Sequence, residues 1–260
     1  MKVAIVSPTH DAGLSSFTLL LGYTIACTQS DSVCLTYTAE NHDIKNYIGF
    51  DEEPDITRSI EQACELLKAD AIGASNIPEF FRRLNKNISL LDSADGTVSL
   101  EESTQLLAYV MKYIEQDVVL CDISTDLTDS ATVDIVSTCD VVLIVSPPSN
   151  KWLDEVREWK ESIPVLQSKP CGLIINRYDP QVAPVSILAK RAGFTVRNTC
   201  KLHYNPYIIE GCNKRNLSTI VPFIVNRDPR VVELNMDLRE VMQFIYSYAG
   251  RKIKWDKGNK

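Results

Sequence analysis

The segment Ser7-Pro-Thr-His-Asp-Ala-Gly-Leu-Ser-Ser16 lies between a short apolar run, Val3 to Val6, and a stretch of helical character, Ser15 to Thr28. Small and hydroxyl-bearing residues at the start of a helix offer backbone N–H groups to an anion, and the helix dipole favours negative charge there. The template for a phosphate-cradling loop is a glycine, four residues, then Gly-Lys-Ser/Thr. Gly13 and Ser15 fit it, whereas Pro8 stands at the first glycine and Leu14 at the lysine. An anion at this loop would therefore meet backbone dipoles and the hydroxyls of Ser15 and Ser16, but no cation. The plainer alternative is an ordinary tight turn and helix cap. His10 and Asp11 read as loop surface, because no third group is at hand to orient them for acid–base work.

Such a loop acts only if strands and helices hold it. Val3 to Val6 reads as a buried strand, Val33 to Tyr37 as a second and Ile88 to Leu91 as a third. Further apolar runs cover Val118 to Cys121, Val141 to Val145 and Gly172 to Ile175. Continuous apolar runs without alternation mark strands covered on both faces, as in a parallel sheet. Helical spacing runs from about Ile56 to Lys68, and Pro78 with Phe80, Phe81 and Leu84 suggests a short helix. Ser99 and Glu102 form a capping box opening a helix through Leu106, Leu107, Val110 and Ile114. Another helix carries Trp152, Val156 and Trp159. The alternation predicts an α/β fold with a doubly wound, mostly parallel sheet flanked by helices. Residues 1–250 form one domain on this reading, and 251–260 a short basic tail with a solvated, frayed end.

The chain has 260 residues, of which 45% are hydrophobic and 23% charged, a globular profile rather than a disordered one. A net charge of −7 argues against a surface that coats the DNA backbone. No apolar run spans a bilayer, and the tail Arg251 to Lys257 is too short and polar for a stable membrane anchor. A cytoplasmic location is expected. The eight cysteines show no C-x-x-C spacing, so they read as free thiols used as small buried hydrophobes, not as zinc ligands. Tyr246, Tyr248 and Trp255 are candidates for a partner surface.

The serial order of several motifs adds a resemblance. Ser7 to Ala26 resembles the deviant Walker A region of the ParA/MinD superfamily, whose pattern is Lys-Gly-Gly-Val-Gly-Lys-Thr-Thr followed by an apolar helix. Gly13 matches its last glycine and Ser15 and Ser16 its paired threonines, while Thr9 and Leu14 replace its two lysines. Gln116 to Asp122 resembles the Walker B strand, and Cys139 to Val145 with Ser146-Pro-Pro resembles the next strand and crossover. Gly172 to Asp179 is similar to the strand ending in an adenine-recognising Asn, here Asn176, beside Arg177. Leu202-His-Tyr-Asn-Pro206 resembles the late segment Ile-Pro-Tyr-Asp.

The resemblance implies a P-loop NTPase-like fold with ATP or ADP as cofactor. Gly13, Leu14, Ser15, Ser16, Asn176 and Arg177 would line the nucleotide, and Ser15 and Asp122 would hold Mg. The loss of both lysines removes cations that stabilise phosphoryl transfer, so ATP hydrolysis is expected to be feeble or absent. The residues leave two outcomes, a bound nucleotide or none. A degenerate Walker A is a feature of the TadZ/CpaE-like branch, which implies a localisation or assembly scaffold for a Tad/Flp-type pilus or secretion apparatus, recruited by protein partners to the membrane or a cell pole. The alternative is an active partitioning or positioning ATPase, with Lys45 or Arg177 replacing the missing lysines. A homodimer is expected through the Thr9–Ser16 face, without need of ATP, with Leu14 supplying apolar surface; the alternative is that Leu14 packs inward on its own helix and the face stays monomeric. Glu40 lies near the end of the second strand, where the family carries a catalytic Asp, but out of register with it.

Overall fold

A computed structural model describes residues 1–38, 43–49, 57–93, 99–123 and 127–254. Glu40, Ile56 and Trp255 fall outside the described residues. Eight strands form one sheet: β1 (Lys2–Val6), β2 (Val33–Tyr37), β3 (Arg82–Asn85), β4 (Ile88–Leu90), β5 (Val118–Asp122), β6 (Val141–Ser146), β7 (Cys171–Tyr178) and β8 (Thr199–His203). Their order across the sheet is β3-β4-β2-β5-β1-β6-β7-β8. Every neighbouring pair is parallel except β3 with β4.

The sheet is buried on both sides, which is why its strands are continuously apolar. Ala4 and Val6 of β1 face one core, Val3 and Ile5 the other. The first core is closed by α3 (Ile60–Lys68), α4 (Leu100–Val110), α5 (Ser130–Thr138), α6 (Asn150–Ser162), α7 (Pro164–Ser168) and α8 (Val185–Arg191). The second is closed by α1 (Leu14–Thr28), α2 (Asp43–Ile48), α9 (Pro206–Asn213), α10 (Val221–Val225) and α11 (Val232–Tyr248). The expected doubly wound architecture is present.

Local signals account for most boundaries, and several expectations need correction. The helix foreseen from Ile56 begins at Ile60, because Ser59 has extended backbone and its side chain accepts from the Gln62 N–H. Ser99 caps α4 by accepting from Glu102 N–H at 3.2 Å, so that half of the expected box forms. The helix placed around Pro78 to Leu84 is not one. A 3₁₀ segment ends at Phe80, and Arg82–Asn85 turns back as an antiparallel edge strand on β4. Alternating burial of Arg82 to Asn85 reflects an edge with one solvated face.

The tail is not frayed over its first residues: Arg251 pairs with Asp31 at 2.7 Å, and Lys254 exchanges backbone hydrogen bonds with the Gln29 amide at 2.6 and 3.1 Å. Tyr246 is core rather than partner surface, being 1% exposed with its hydroxyl donating to Asp31, whereas Tyr248 is exposed. Among the described residues no helix is long and apolar enough to cross a membrane.

Candidate functional site

The strand order reverses around β1, which has β5 on one side and β6 on the other. In open α/β sheets such a switch point, beyond the carboxyl ends of the strands, is where ligands bind. The Ser7–Gly13 loop leaves β1 at that point. Ser7 Oγ donates to Thr9 O at 2.9 Å and accepts from Thr9 N–H at 3.2 Å, closing a tight local turn. His10–Ala12 form a single 3₁₀ turn, and Gly13 follows in the left-handed region at φ 75°. A Cβ on Gly13 would sit 2.5 Å from Asn176 Nδ2, so both the backbone angle and the close approach require glycine here.

The sequence places Leu14 where a phosphate-binding lysine would stand, and the structure turns it inward. Leu14 is only 7% exposed and belongs to the core beneath α1. It therefore presents no apolar surface to a partner, which corrects the expectation that it builds a dimer face. The hydroxyls nearby fold onto the helix itself: Ser16 Oγ donates to Gly13 O at 2.9 Å and Thr18 Oγ1 to Leu14 O at 3.0 Å. Ser15 is buried, as is Asp122 at the end of β5, in register with Ile5 and Tyr37. His10 and Asp11 are exposed, as expected.

At the ends of β7 and β8 the polar groups are arrayed differently. The β7–β8 register shifts between Ile175 and Tyr178, and Arg177 takes a left-handed φ of 53°. This irregularity turns the Asn176 side chain toward the loop and leaves Arg177 exposed. Asn176 Nδ2 donates to Ala12 O at 2.6 Å, and its Oδ1 accepts from Arg177 N–H at 2.8 Å. Asn176 thus ties the loop down, with both ends of its amide engaged.

Next to it, Asp237 of α11 is 1% exposed and its Oδ2 lies 2.8 Å from both the backbone N and the ring Nδ1 of His203. Lys201 Nζ is 4.0 Å from the other carboxylate oxygen. Burial pushes the Asp237 carboxyl above its ordinary range, against the hydrogen bonds from His203 and the charge of Lys201. Asn205 caps α9 through Tyr207 N–H at 3.0 Å and also reaches Arg230 O at 3.2 Å.

These two regions line one cleft of about 200 Å³, walled by Gly13, Ser16, Asn176, Arg177, His203 and Tyr204 with Tyr47, Ile208 and Ile209. Of the expected site residues, the fold brings Gly13, Ser16, Asn176 and Arg177 to this cleft; Leu14, Ser15 and Asp122 do not line it. Lys45 is held elsewhere, 3.0 Å from Asp92 and 5.9 Å from the centre of the Tyr37 ring. The His203–Asp237 pair was not foreseen, since its members are far apart in sequence and only the fold brings α11 under β8. Buried Cys34, Cys139 and Cys200 have thiols pushed up to about 12 by desolvation, so they act as small apolar residues.

A doubly wound sheet with a loop and helix N-terminus at its switch point defines an α/β fold of the P-loop NTPase kind. More narrowly, the fold is similar to those of solved ParA, MinD and McdA proteins. A ParA family ATPase from Chlorobium tepidum superposes with a TM-score of 0.69 at 14% identity, over 94% of this chain and 97% of that one. The septum site-determining protein MinD from Pyrococcus horikoshii, in complex with Mg-ADP, gives 0.69 at 16% identity over 96% and 97%. A McdA variant from Cyanothece in complex with ATP gives 0.63 at 17% identity over 97% of each chain. No family model and no curated protein matches the sequence.

Proposed function

We propose that this protein is a ParA/MinD-fold localisation or assembly scaffold that has kept the architecture of a nucleotide site and lost its phosphate chemistry. The observation that carries the proposal is Leu14, which stands at the lysine position and is buried in the core under α1. Phosphoryl transfer relies on fixed cations around the transferred group, and removing one such electrostatic group typically slows a reaction by about a hundredfold or more.

The residues fit a magnesium nucleotide in part. Ser15 and Asp122 are oxygen donors of the kind Mg takes, and the start of α1 favours an anion; the triphosphate end lacks its lysine. ATP or ADP binding is thus proposed at the cleft end lined by Asn176 and Arg177. Ser15 and Asp122, the proposed Mg residues, are buried and lie outside the cleft lining, so they would have to become accessible to hold the ion. The host apparatus we propose is a Tad/Flp-type pilus or secretion system, reached through protein partners that recruit the scaffold to a membrane or pole. A homodimer through the Thr9–Ser16 loop would have to use its exposed residues, His10 and Asp11, rather than Leu14.

The purified protein should hydrolyse Mg-ATP no faster than a no-enzyme control. A steady turnover abolished by Asp122→Ala would overturn this reading and support an active positioning ATPase instead.

A further inference from the structure

We propose that the outer face of α9 and α10 docks a short acidic segment of a partner protein and anchors one bulky apolar side chain of it. Charge and apolar exposure are both unevenly divided in this chain. Residues 1–181 carry 13 Lys and Arg against 28 Asp and Glu, whereas residues 182–260 carry 14 against six. Among the described residues, the large apolar side chains that stand exposed all lie between Val182 and Tyr248. An acidic protein has thus gathered its basic excess and its wet apolar surface in the same third of the sequence. Exposed apolar side chains need no explanation singly, but grouped they mark interaction sites.

The grouping is tightest behind the cleft. Helix α9 turns Ile208, Ile209 and Cys212 to the cleft, and Tyr207, Glu210 and Gly211 to a second pocket of about 190 Å³. Tyr207 and Phe223, 38% and 43% exposed, wall that pocket with Ile220 and Val231. Arg230 joins the two rings: its guanidinium carbon is 5.7 Å from the centre of Tyr207 and 4.7 Å from that of Phe223. Asp228 fixes the guanidinium plane by accepting from Nε and from Nη2, each at 2.8 Å. That pair takes two of the five N–H donors of an arginine, so the fixed plane keeps donors for another carboxylate. Lys214 lines the same pocket, and Arg227 stands exposed between Phe223 and Arg230 in the chain. The one acid lining the pocket, Glu210, is engaged by Lys214 at 2.5 Å.

Aromatic rings and a clamped arginine around a pocket are the groups that carry most of the energy at protein interfaces. The space suits one large side chain, since pockets for drug-sized ligands run from roughly 300 Å³ upward. A guanidinium with donors to offer, beside Lys214 and Arg227, favours carboxylates next to that anchor and disfavours amines. The pocket lies on the other side of α9 from the cleft, so the proposal does not depend on what the cleft holds.

The test is selection from a random peptide library on the immobilised full chain, followed by fluorescence polarisation with the selected peptides. These should share one large apolar residue flanked by Asp or Glu, a result read on the parent alone, however the variants fold. Phe223→Asp and Arg230→Glu should each weaken binding by about tenfold or more, the scale of a residue central to an interface. Both positions are exposed, so these variants should melt with the parent. Ile187→Asp, at an exposed apolar position on α8 across the sheet, should leave the affinity unchanged. Binding should also weaken as salt rises from about 0.01 to 0.1 M, where the screening length falls from roughly 30 to 10 Å, and less steeply in Arg230→Glu. A consensus rich in Lys and Arg, no enrichment over a blank surface, or an affinity indifferent to both substitutions would overturn the proposal. So would a parent that self-associates through Phe223, or a duplex oligonucleotide that binds the parent but not Arg230→Glu. Those two results would assign the face to a second copy or to nucleic acid.

Discussion

The two ends of the cleft have spent their polar groups in different ways. At the loop end, Ser7, Ser16 and Thr18 bond to carbonyls of their own turn or helix, and Leu14 fills core. At the β7–β8 end, Arg177 is exposed and His203 is propped from behind by a buried carboxylate. The first end has the economy of a packed turn; the second has the arrangement of a site, in which a supporting group orients one that faces the ligand. Asn176 joins them, holding the loop by a bond to Ala12. The difference teaches that a loop at the switch point of a parallel sheet can serve as a structural joint when its polar groups are turned onto its own backbone.

If the loop is such a joint, damage there should appear first as lost stability. Gly13→Ala tests this most severely. A left-handed backbone costs a side-chain-bearing residue roughly 1–2 kcal/mol, and the new Cβ would displace Asn176 and break a buried hydrogen bond, adding about 1–3 kcal/mol. Urea unfolding should show a loss of about 2–5 kcal/mol, the sum of those two ranges. A variant as stable as the parent would mean that the loop is free to rearrange and is no joint at all. Leu14→Ala should cost somewhat less, about 2–3 kcal/mol, toward the low end for a buried leucine because the first turn of α1 can settle into the space. If Leu14→Ala instead left stability unchanged, the side chain would not be core, and the inert character of the loop end would lose its main support.

Much of this contrast was legible in the residue order, and the part that was not has a physical reason. The apolar runs announced the parallel sheet, and Gly13 with Ser15 and Ser16 marked the loop, because both signals are local. The inward turn of Leu14 was not readable, since the same leucine at a helix start can face either way until α1 is packed on the sheet. The edge strand Arg82–Asn85 was missed because Pro78, Phe80 and Phe81 mimic a helix start while the pairing partner, Ile88–Leu90, decides the matter. The docked tail was hidden for a related reason: Arg251 and Lys254 look like a solvated end until Gln29 and Asp31 come to meet them. His203 and Asp237 carry no shared motif, and nothing in the linear order sets one beside the other.

The smallest effect, and the one that sharpens the β7–β8 end, concerns acid titration of Asp237. Its carboxyl is raised above 3.8 chiefly by desolvation, with hydrogen bonds from His203 and the charge of Lys201 opposing that rise. The folded protein therefore holds this proton more tightly than the unfolded chain does. The stabilisation from the group is fully present below the unfolded pKa, and it is lost as pH climbs from 3.8 through the higher folded value. Asp237→Asn does not titrate but keeps an oxygen for the two His203 N–H groups, so it isolates the cost of the charge. Urea unfolding across the acid range should show the stability of the parent, relative to Asp237→Asn, falling as pH rises. A difference that grows with pH would mean that the ionised carboxylate is favoured by its ion pair with Lys201. Desolvation would then not be the dominant influence on this carboxyl.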